Sequence, residues 1–116
     1  MPVSTHPNPE GDIPPLSEAT FFILVSLGNG PKHGYSIMKE VEELSQNRVM
    51  LSTGTLYGAI KRLLAEGWIR RHDLPEDTQD GRERKSYALT SLGREALRAE
   101  TRRLQALVAL ALQRAF

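Results

Sequence analysis

One stretch decides the fold predicted for this chain: Ser52-Thr53-Gly54-Thr55-Leu56-Tyr57-Gly58-Ala59-Ile60-Lys61-Arg62-Leu63-Leu64-Ala65-Glu66-Gly67. Ser52 is a favourable residue for the N-cap of a helix. Four apolar side chains then recur at the spacing of one helical face, and we expect them to form a buried stripe: Leu56, Ile60, Leu63 and Leu64.

The opposite face of this predicted helix is unusual for an exposed surface, which is ordinarily filled with Glu, Lys and Gln. It is small along its centre and basic along its edges, and consists of Gly54, Gly58, Lys61 and Ala65, flanked by Tyr57 and Arg62. Such a face can approach a polyanion closely and fits a helix that enters the DNA major groove. A surface helix with two glycines near its start is the alternative, and the helix alone does not decide between them.

Length and composition limit the possibilities. A chain of 116 residues suits one domain with one modest core. The absence of cysteine excludes a disulfide framework, a zinc–thiolate site and a cysteine nucleophile. We find no run long and apolar enough for a bilayer and no signal-peptide pattern, so the sequence predicts a soluble, cytoplasmic protein without a membrane partner.

The distribution of charge is more informative than the net charge of +1. Residues 48–72 contain five basic residues and one acidic residue, whereas residues 16–47 contain two basic and four acidic residues. Positive charge therefore gathers on and just after the candidate helix, as expected of a surface that binds phosphate groups.

Two further helices are predicted before this stretch. The first begins after the N-cap Ser17, is apolar on nearly every side, and ends at Gly28-Asn29-Gly30-Pro31. The second runs from about Gly34 to Leu44, and its inner stripe is predicted to consist of Ile37, Met38, Val41 and Leu44.

The pattern changes to strands after Gly67. Residues 68–72 and 85–89 are predicted strands, and the polar residues 75–81 between them form a turn. Alternation places Lys85, Tyr87 and Leu89 on one face of the second strand. Three helices followed by a two-stranded hairpin are typical of a winged helix-turn-helix, so the fold class is mainly α with a small β-hairpin.

Thr90 is the predicted N-cap of a long final helix. Its second half, residues 107–112, is apolar on every side, and one small domain cannot cover such a helix. We therefore predict a homodimer rather than packing within one chain. The expected interface residues are Phe22, Leu97, Leu104, Leu107, Val108, Leu110 and Ala111.

The predicted organisation has three parts. Residues 1–15 form a disordered N-terminal arm, residues 16–89 a winged helix-turn-helix DNA-binding domain, and residues 90–116 a C-terminal dimerisation helix. The arm contains Glu10 and Asp12 but no Lys or Arg, so we interpret it as a passive tail rather than as a DNA contact.

An ordered set of fragments resembles the PadR family of bacterial transcriptional regulators, in particular its compact subgroup with a short final helix. The set comprises Lys32-His33-Gly34-Tyr35-Ser36-Ile37, Gly54-Thr55-Leu56-Tyr57, Glu66-Gly67-Trp68-Ile69, Gly81-Arg82, Tyr87-Ala88-Leu89-Thr90 and Gly93. The resemblance covers the chain from about Leu16 to its C-terminus.

This resemblance implies a dimeric repressor that binds a pseudo-palindromic operator in double-stranded DNA. The third helix would enter the major groove, and the wing would contact the backbone or the minor groove. The implied DNA-binding residues are Thr53, Thr55, Tyr57, Lys61 and Arg62 on the helix, and Arg82, Arg84 and Lys85 on the wing. A winged helix whose basic face binds an acidic protein is the alternative function.

Individual roles follow from side-chain chemistry. Lys61 suits a phosphate, and Arg62 suits a phosphate or a guanine edge. Thr53 and Thr55 suit phosphate oxygens at the helix start. Tyr57 has two open interpretations: its hydroxyl binds phosphate, or its ring packs locally.

Two features depart from the family pattern. The wing tip contains four acidic residues that phosphate would repel: Glu76, Asp77, Asp80 and Glu83. Some compact relatives bind flat drugs between tryptophans of the last helix, but the sole tryptophan here is Trp68, which we expect to pack in the core. We therefore do not predict a multidrug-binding pocket of that kind, and a small-molecule effector would be of unknown identity.

Catalysis is not predicted. We interpret His33 as part of a helix start, and His6 and His72 lie too far from it in sequence to suggest a metal site. No glycine-rich phosphate loop follows a predicted strand. We therefore expect no catalytic residue, no metal and no cofactor.

Overall fold

The computed structural model describes residues 15–73 and 85–116. Within these residues, the fold consists of four helices and a small three-stranded antiparallel sheet. The elements in chain order are α1 (Glu18–Ser26), β1 (Lys32–His33), α2 (Gly34–Leu44), α3 (Thr53–Glu66), β2 (Ile69–Arg71), β3 (Ser86–Leu89) and α4 (Ser91–Ala115). This is the predicted winged helix, with one strand more than the sequence indicated.

Helix α1 is the central helix of the core. The Ser17 hydroxyl accepts a hydrogen bond from the Thr20 amide at 3.1 Å, which confirms Ser17 as the N-cap. Ile23 and Leu24 are completely buried. Helix α1 contacts both α2 and α4, so its apolar character on several sides reflects contact with more than one neighbour.

Helix α3 has the predicted ends. The Ser52 hydroxyl accepts from the Thr55 amide at 3.1 Å, and Gly67 ends the helix in the left-handed conformation with φ of 77°. A residue with a Cβ atom is strained at that φ, which explains the glycine.

The buried stripe of α3 differs from the prediction at one position. Leu56, Ile60 and Leu63 are buried, but Leu64 is 36% exposed and Ala59 is buried in its place. At 3.6 residues per turn, Leu64 lies about 90° from the centre of the stripe, at its edge. Ala59 was missed because a small side chain gives little hydrophobic signal.

Helix α2 begins and ends at the predicted residues, and Ile37 and Val41 are completely buried. Met38 packs partly against the core. The prediction for Leu44 was wrong, because this last residue of the helix is 44% exposed. Spacing identifies the inner face of a helix, but not how far along the helix its neighbours extend.

The sheet has the order β1-β3-β2. Strands β2 and β3 form the predicted antiparallel hairpin, with Ile69 opposite Leu89 and Arg71 opposite Tyr87. Strand β1, which consists of Lys32 and His33, pairs with the other edge of β3. We interpreted these two residues from the sequence as part of the start of the second helix. All four residues of β3 are buried because this strand is central, which alternation alone did not predict.

Helix α4 is joined to the wing through its first turn. The Thr90 hydroxyl accepts from the Gly93 amide and donates to the Gly67 carbonyl at 2.6 Å, and the Thr90 amide donates to the Trp68 carbonyl at 3.1 Å. A Cβ atom on Gly93 would lie only 1.9 Å from the Trp68 carbonyl oxygen. The helix therefore approaches the backbone as closely as only glycine permits.

A buried carboxylate on α4, that of Glu100, links this helix to the residues just before α1. Glu100 is only 4% exposed and accepts two hydrogen bonds from the Arg103 guanidinium, at 2.8 and 2.7 Å. It also accepts from the Leu16 amide at 3.3 Å. The hydrogen bond from Arg103 lowers the pKa of Glu100, and the Leu16 amide acts in the same direction against the effect of burial.

Candidate nucleic-acid interface

The inner side of α3 packs on the core, which leaves the outer face of the helix exposed to solvent. Leu56, Ile60 and Leu63 hold the inner side, with at most 2% of each side chain exposed. Every residue predicted to contact DNA on this helix is exposed: Thr53, Thr55, Tyr57, Lys61 and Arg62. Gly54, Gly58 and Ala65 are exposed between them, so the centre of the face is low and its backbone accessible.

The start of α3 is a further polar feature of this face. Ser52 and Thr55 are joined by a hydroxyl–hydroxyl hydrogen bond of 2.9 Å in addition to the N-cap bond. The Thr55 amide is therefore already occupied by the cap. The first amide groups of a helix have no intrahelical acceptor, and those of Thr53 and Gly54 lie at this exposed end.

Lys61 and Arg62 are the electrostatic centre of the face. Neither forms an ion pair or hydrogen bond within residues 15–73 and 85–116. Several other cations of the described residues have carboxylate partners. Arg48 pairs with Glu18 at 2.7 Å, for example, and the remaining pairs include Lys32–Glu40, Lys39–Glu42, Arg71–Asp73, Arg98–Glu95 and Arg103–Glu100.

Tyr57 has a packing role that the sequence left open. A Cβ atom built on Gly34 would lie 2.5 Å from the Tyr57 hydroxyl oxygen and 2.9 Å from the ring carbon that carries it. The ring therefore lies directly over the start of α2, while 42% of the side chain remains exposed. This contact brings together the fragments that begin at Lys32 and Gly54, and a side chain at position 34 would have to displace the Tyr57 ring.

Tyr57 is also coupled to the central strand. Burial raises the pKa of the Tyr87 phenol, and the nearby Tyr57 raises it further, with a smaller opposing effect from Arg71. Tyr87 therefore stays neutral over the physiological range. Tyr57 on α3 thus lies near Tyr87 of the central strand as well as over the start of α2.

The wing is described only at its base. Lys85 is exposed just before β3, whereas Arg82, Arg84 and the acidic tip lie outside the described residues. Strand β2 adds Arg70, an exposed cation that was counted in the basic segment but not among the site residues. Its guanidinium lies 3.3 Å from the Arg71 carbonyl and 3.1 Å from the His72 ring.

The C-terminal half of α4 is exposed along its length. Leu107 and Leu110 are 49% and 51% exposed, and Leu104, Val108 and Ala111 are also exposed. Phe22 and Leu97, by contrast, pack partly against the core of their own chain. The seven residues predicted for an interface therefore comprise five that are available for contact and two that already have intramolecular contacts.

Within the described segments, no helix has the length and apolar character needed to cross a membrane. Nor does this part of the chain contain a cluster of three or more histidine, aspartate or glutamate side chains placed to hold a metal ion. The polar chemistry of the site thus lies in cations, hydroxyls and backbone amides.

Comparison with known proteins identifies the family. Residues 23–99 match the transcriptional regulator PadR-like family. The chain is 38% identical over 84 residues to an uncharacterized transposon protein from Streptomyces fradiae, and the alignment covers 72% of this chain but only 22% of that relative.

Two solved structures agree with the fold. A PadR family transcription regulator from Clostridium difficile is 27% identical, with a TM-score of 0.71 over 84% of this chain and 97% of its own. Bacillus subtilis PadR in complex with operator DNA is also 27% identical, with a TM-score of 0.61 over 73% of this chain and 46% of its own. Since the family match spans residues 23–99, most of the described winged helix, this chain belongs to the PadR-like family of transcriptional regulators.

Proposed function

We propose that this protein is a sequence-specific DNA-binding repressor that acts as a cytoplasmic homodimer on a pseudo-palindromic operator. Helix α3 enters the major groove, with Lys61 on a phosphate and Arg62 on a phosphate or a guanine edge. The hydroxyl groups and amides at the start of α3 bind phosphate oxygens, because a helix N-terminus favours anions.

The observation that carries this proposal is the absence of protein partners for Lys61 and Arg62 in the described residues. Cations held at an exposed surface without neutralising carboxylates attract an external polyanion. The family membership and the operator complex of the Bacillus subtilis relative support DNA as that polyanion.

The wing is proposed to contribute through its base. Lys85 is exposed there, and Arg82 and Arg84 complete the proposed set of wing contacts. The acidic residues at positions 76, 77, 80 and 83 would be repelled by phosphate. We therefore propose that the wing either contacts the duplex through its basic residues or contributes little to DNA binding.

Dimerisation is proposed to occur through the exposed apolar residues of α4. In one protomer 36–58% of each of these side chains is exposed, and a second copy of the helix would cover them: Leu104, Leu107, Val108 and Leu110. In such a dimer, two α3 helices about 34 Å apart would read successive major grooves. A small-molecule effector would relieve repression only by binding one dimer geometry better than another.

The test is a selection of bound fragments from sheared genomic DNA at near-physiological salt. The parent protein is compared with Lys61→Ala/Arg62→Ala and with the control Lys39→Ala/Arg98→Ala. The control removes two cations that already have carboxylate partners. We expect the parent and the control to enrich a few promoter fragments that share an inverted repeat, and the α3 variant to lose them.

The alternative function gives a different result. If the basic face binds an acidic protein, a folded dimer will enrich no fragment above background, and one operator sequence will not displace its partner selectively. Enrichment that is equal in the α3 variant would show that DNA binds elsewhere on the protein.

A further inference from the structure

Strand β2 contains two adjacent arginines whose side chains lie on opposite faces of the sheet. Arg71 is two residues after Ile69, which is buried in the core, so both side chains are on the core-facing side. Arg70 lies between them in sequence, and its side chain is therefore on the other side. Both arginines are exposed, but only Arg71 shares the face that packs toward the helices.

The core-facing side of the sheet connects Arg71 to helix α3. Arg71 is opposite Tyr87 in the pairing of β2 with β3, and opposite residues of antiparallel strands have their side chains on the same face. Tyr87 in turn lies close enough to Tyr57 and Arg71 for both to act on its phenol electrostatically. Three side chains thus form a row from the exposed face of α3 to the base of the wing: Tyr57, Tyr87 and Arg71.

Arg71 has a carboxylate partner at the end of this row. Its Nη2 atom donates to Asp73 Oδ1 at 2.7 Å, and 37% of the Arg71 side chain and 67% of the Asp73 side chain are exposed. An ion pair as exposed as this one is weak, because water and salt screen it. A phosphate can therefore compete with the Asp73 carboxylate for the guanidinium.

We propose that Arg71 is a further contact to a DNA phosphate, and that Asp73 competes with the phosphate for its guanidinium. In the free protein the Asp73 carboxylate holds Arg71, and on DNA a phosphate replaces it. This contact extends the basic face of α3 onto the base of the wing. The inference rests on the proposed function, because it treats the outer face of α3 as the surface that binds DNA.

The competition gives Asp73 a defined effect on affinity. Loss of the ion pair offsets part of the attraction between Arg71 and the duplex, so removal of the carboxylate should tighten binding by about twofold to fivefold. Asp73 also repels nearby phosphates directly. Direct repulsion does not need Arg71, whereas competition does, so the two effects are separated when both residues are replaced.

The first test compares the neighbouring arginines by fluorescence-anisotropy titrations of a duplex at several salt concentrations. The duplex has an arbitrary sequence, because a phosphate contact does not depend on sequence. Arg71→Ala should weaken binding by about threefold to tenfold and reduce the slope of the log binding constant against log salt concentration by about one. Arg71→Lys keeps the charge and should retain the slope of the parent.

Arg70→Ala is the matched control for this test. It removes the same charge from the adjacent exposed position, but on the opposite face of β2, and should leave the slope unchanged. An unchanged slope in Arg71→Ala would overturn the assignment of Arg71 to a phosphate. An equal loss of slope in both alanine variants would overturn the role of the row that starts at Tyr57.

A cycle of single and double substitutions tests the competition. Asp73→Asn should tighten binding in the parent and have a smaller effect in the Arg71→Ala background, because the carboxylate acts mainly through that arginine. Glu95→Gln is the control, since it removes a carboxylate that is also paired with an arginine, Arg98, and should leave the affinity unchanged. An effect of Asp73→Asn that is equal in both backgrounds would overturn the competition.

The two proposals fail separately. If Lys61→Ala/Arg62→Ala binds the duplex as tightly as the parent, α3 does not bind DNA, and the proposed function fails together with this extension of it. If that variant loses binding while Arg71→Ala keeps the affinity and the slope of the parent, only the assignment of Arg71 fails.

Discussion

Replacement of Gly93 by alanine tests how the wing and α4 are joined. The added Cβ atom would lie 1.9 Å from the Trp68 carbonyl oxygen and 3.2 Å from a Leu89 methyl group. Ordinary carbon–oxygen contacts lie at about 3.3–3.6 Å, so α4 or the Trp68 peptide must move by about 1.5 Å. The obstructing atom is backbone and cannot rotate away as a side chain does.

The expected cost follows from the contacts that this movement breaks. The Thr90 amide bond to Trp68 and the Thr90 hydroxyl bond to Gly67 are both made at this junction, and each contributes about 1 kcal/mol. Overpacking adds about 1–3 kcal/mol, and the better helix propensity of alanine returns about 1 kcal/mol. We therefore expect Gly93→Ala to lower the free energy of unfolding by about 2–4 kcal/mol.

Thermal unfolding followed by circular dichroism measures this effect. A loss of that size lowers Tm by about 8–16 °C in a domain of roughly 100 residues. The control is Gly58→Ala, since a Cβ atom there meets no atom within 4 Å. It lies within an exposed face of α3 and should gain up to about 1 kcal/mol. A Tm for Gly93→Ala equal to or above that of the parent would refute the close approach of α4 to Trp68.

Three further predictions concern DNA, assembly and pH. Lys61→Ala should weaken binding to every duplex and reduce the slope of the log binding constant against log salt concentration by about one. The control Lys39→Ala should leave the slope unchanged. An unchanged slope for Lys61→Ala would exclude Lys61 from phosphate contact. Leu110→Asp should convert the proposed dimer to a monomer, because an unpaired charge is costly at an apolar interface. Analytical sedimentation measures this change, and a dimer that persists would place the interface elsewhere. The hydrogen bond from Arg103 lowers the pKa of Glu100 from its ordinary value of 4.5. Ionised Glu100 therefore stabilises the fold above pH 4.5, and this stabilisation is lost as the pH falls through the lowered pKa. In denaturant titrations, Glu100→Gln should therefore reduce the dependence of the free energy of unfolding on pH below about pH 4.5. Glu95→Gln is the control, because Glu95 forms an exposed ion pair with Arg98, and it should leave this dependence unchanged. The same acid dependence in both variants would contradict the role of Glu100.

Most of the secondary structure was predictable because its signals are local. Ser17, Ser52 and Thr90 are N-caps in the structure, as their side chains and positions indicated. Gly67 likewise predicted the end of α3, because glycine readily adopts the left-handed conformation of a helix C-cap. Each of these residues acts on backbone groups only a few positions away, so the sequence alone contains the relevant partners.

The errors concern contacts between distant elements. Strand β1 has two residues and no periodicity, so only its pairing with β3 identifies it. The spacing places Leu44 and Leu64 on the apolar stripes of their helices, but no neighbouring element of the described residues covers them, and they are 44% and 36% exposed. Burial depends on what lies opposite a residue, and spacing along one helix does not contain that information.

The candidate site was predictable in part. The composition of α3 indicated an exposed, basic face, and the structure places Thr53, Tyr57, Lys61 and Arg62 on the surface. The packing of Tyr57 on Gly34 could not be predicted, because 23 residues separate them. Glu100 was missed because a glutamate on a charged helix ordinarily indicates a solvated surface.

The sequence alone was sufficient to predict the family, the four helices and the hairpin, and to identify α3 as the helix with the basic face. These depend on caps, glycines and apolar spacing, which act over one or two helical turns. Tertiary contacts alone show that Lys61 and Arg62 have no protein partner in the described residues, and that Gly93 lies too close to the Trp68 carbonyl for a Cβ atom. Those features depend on distances between side chains far apart in the chain, which are set when the core packs.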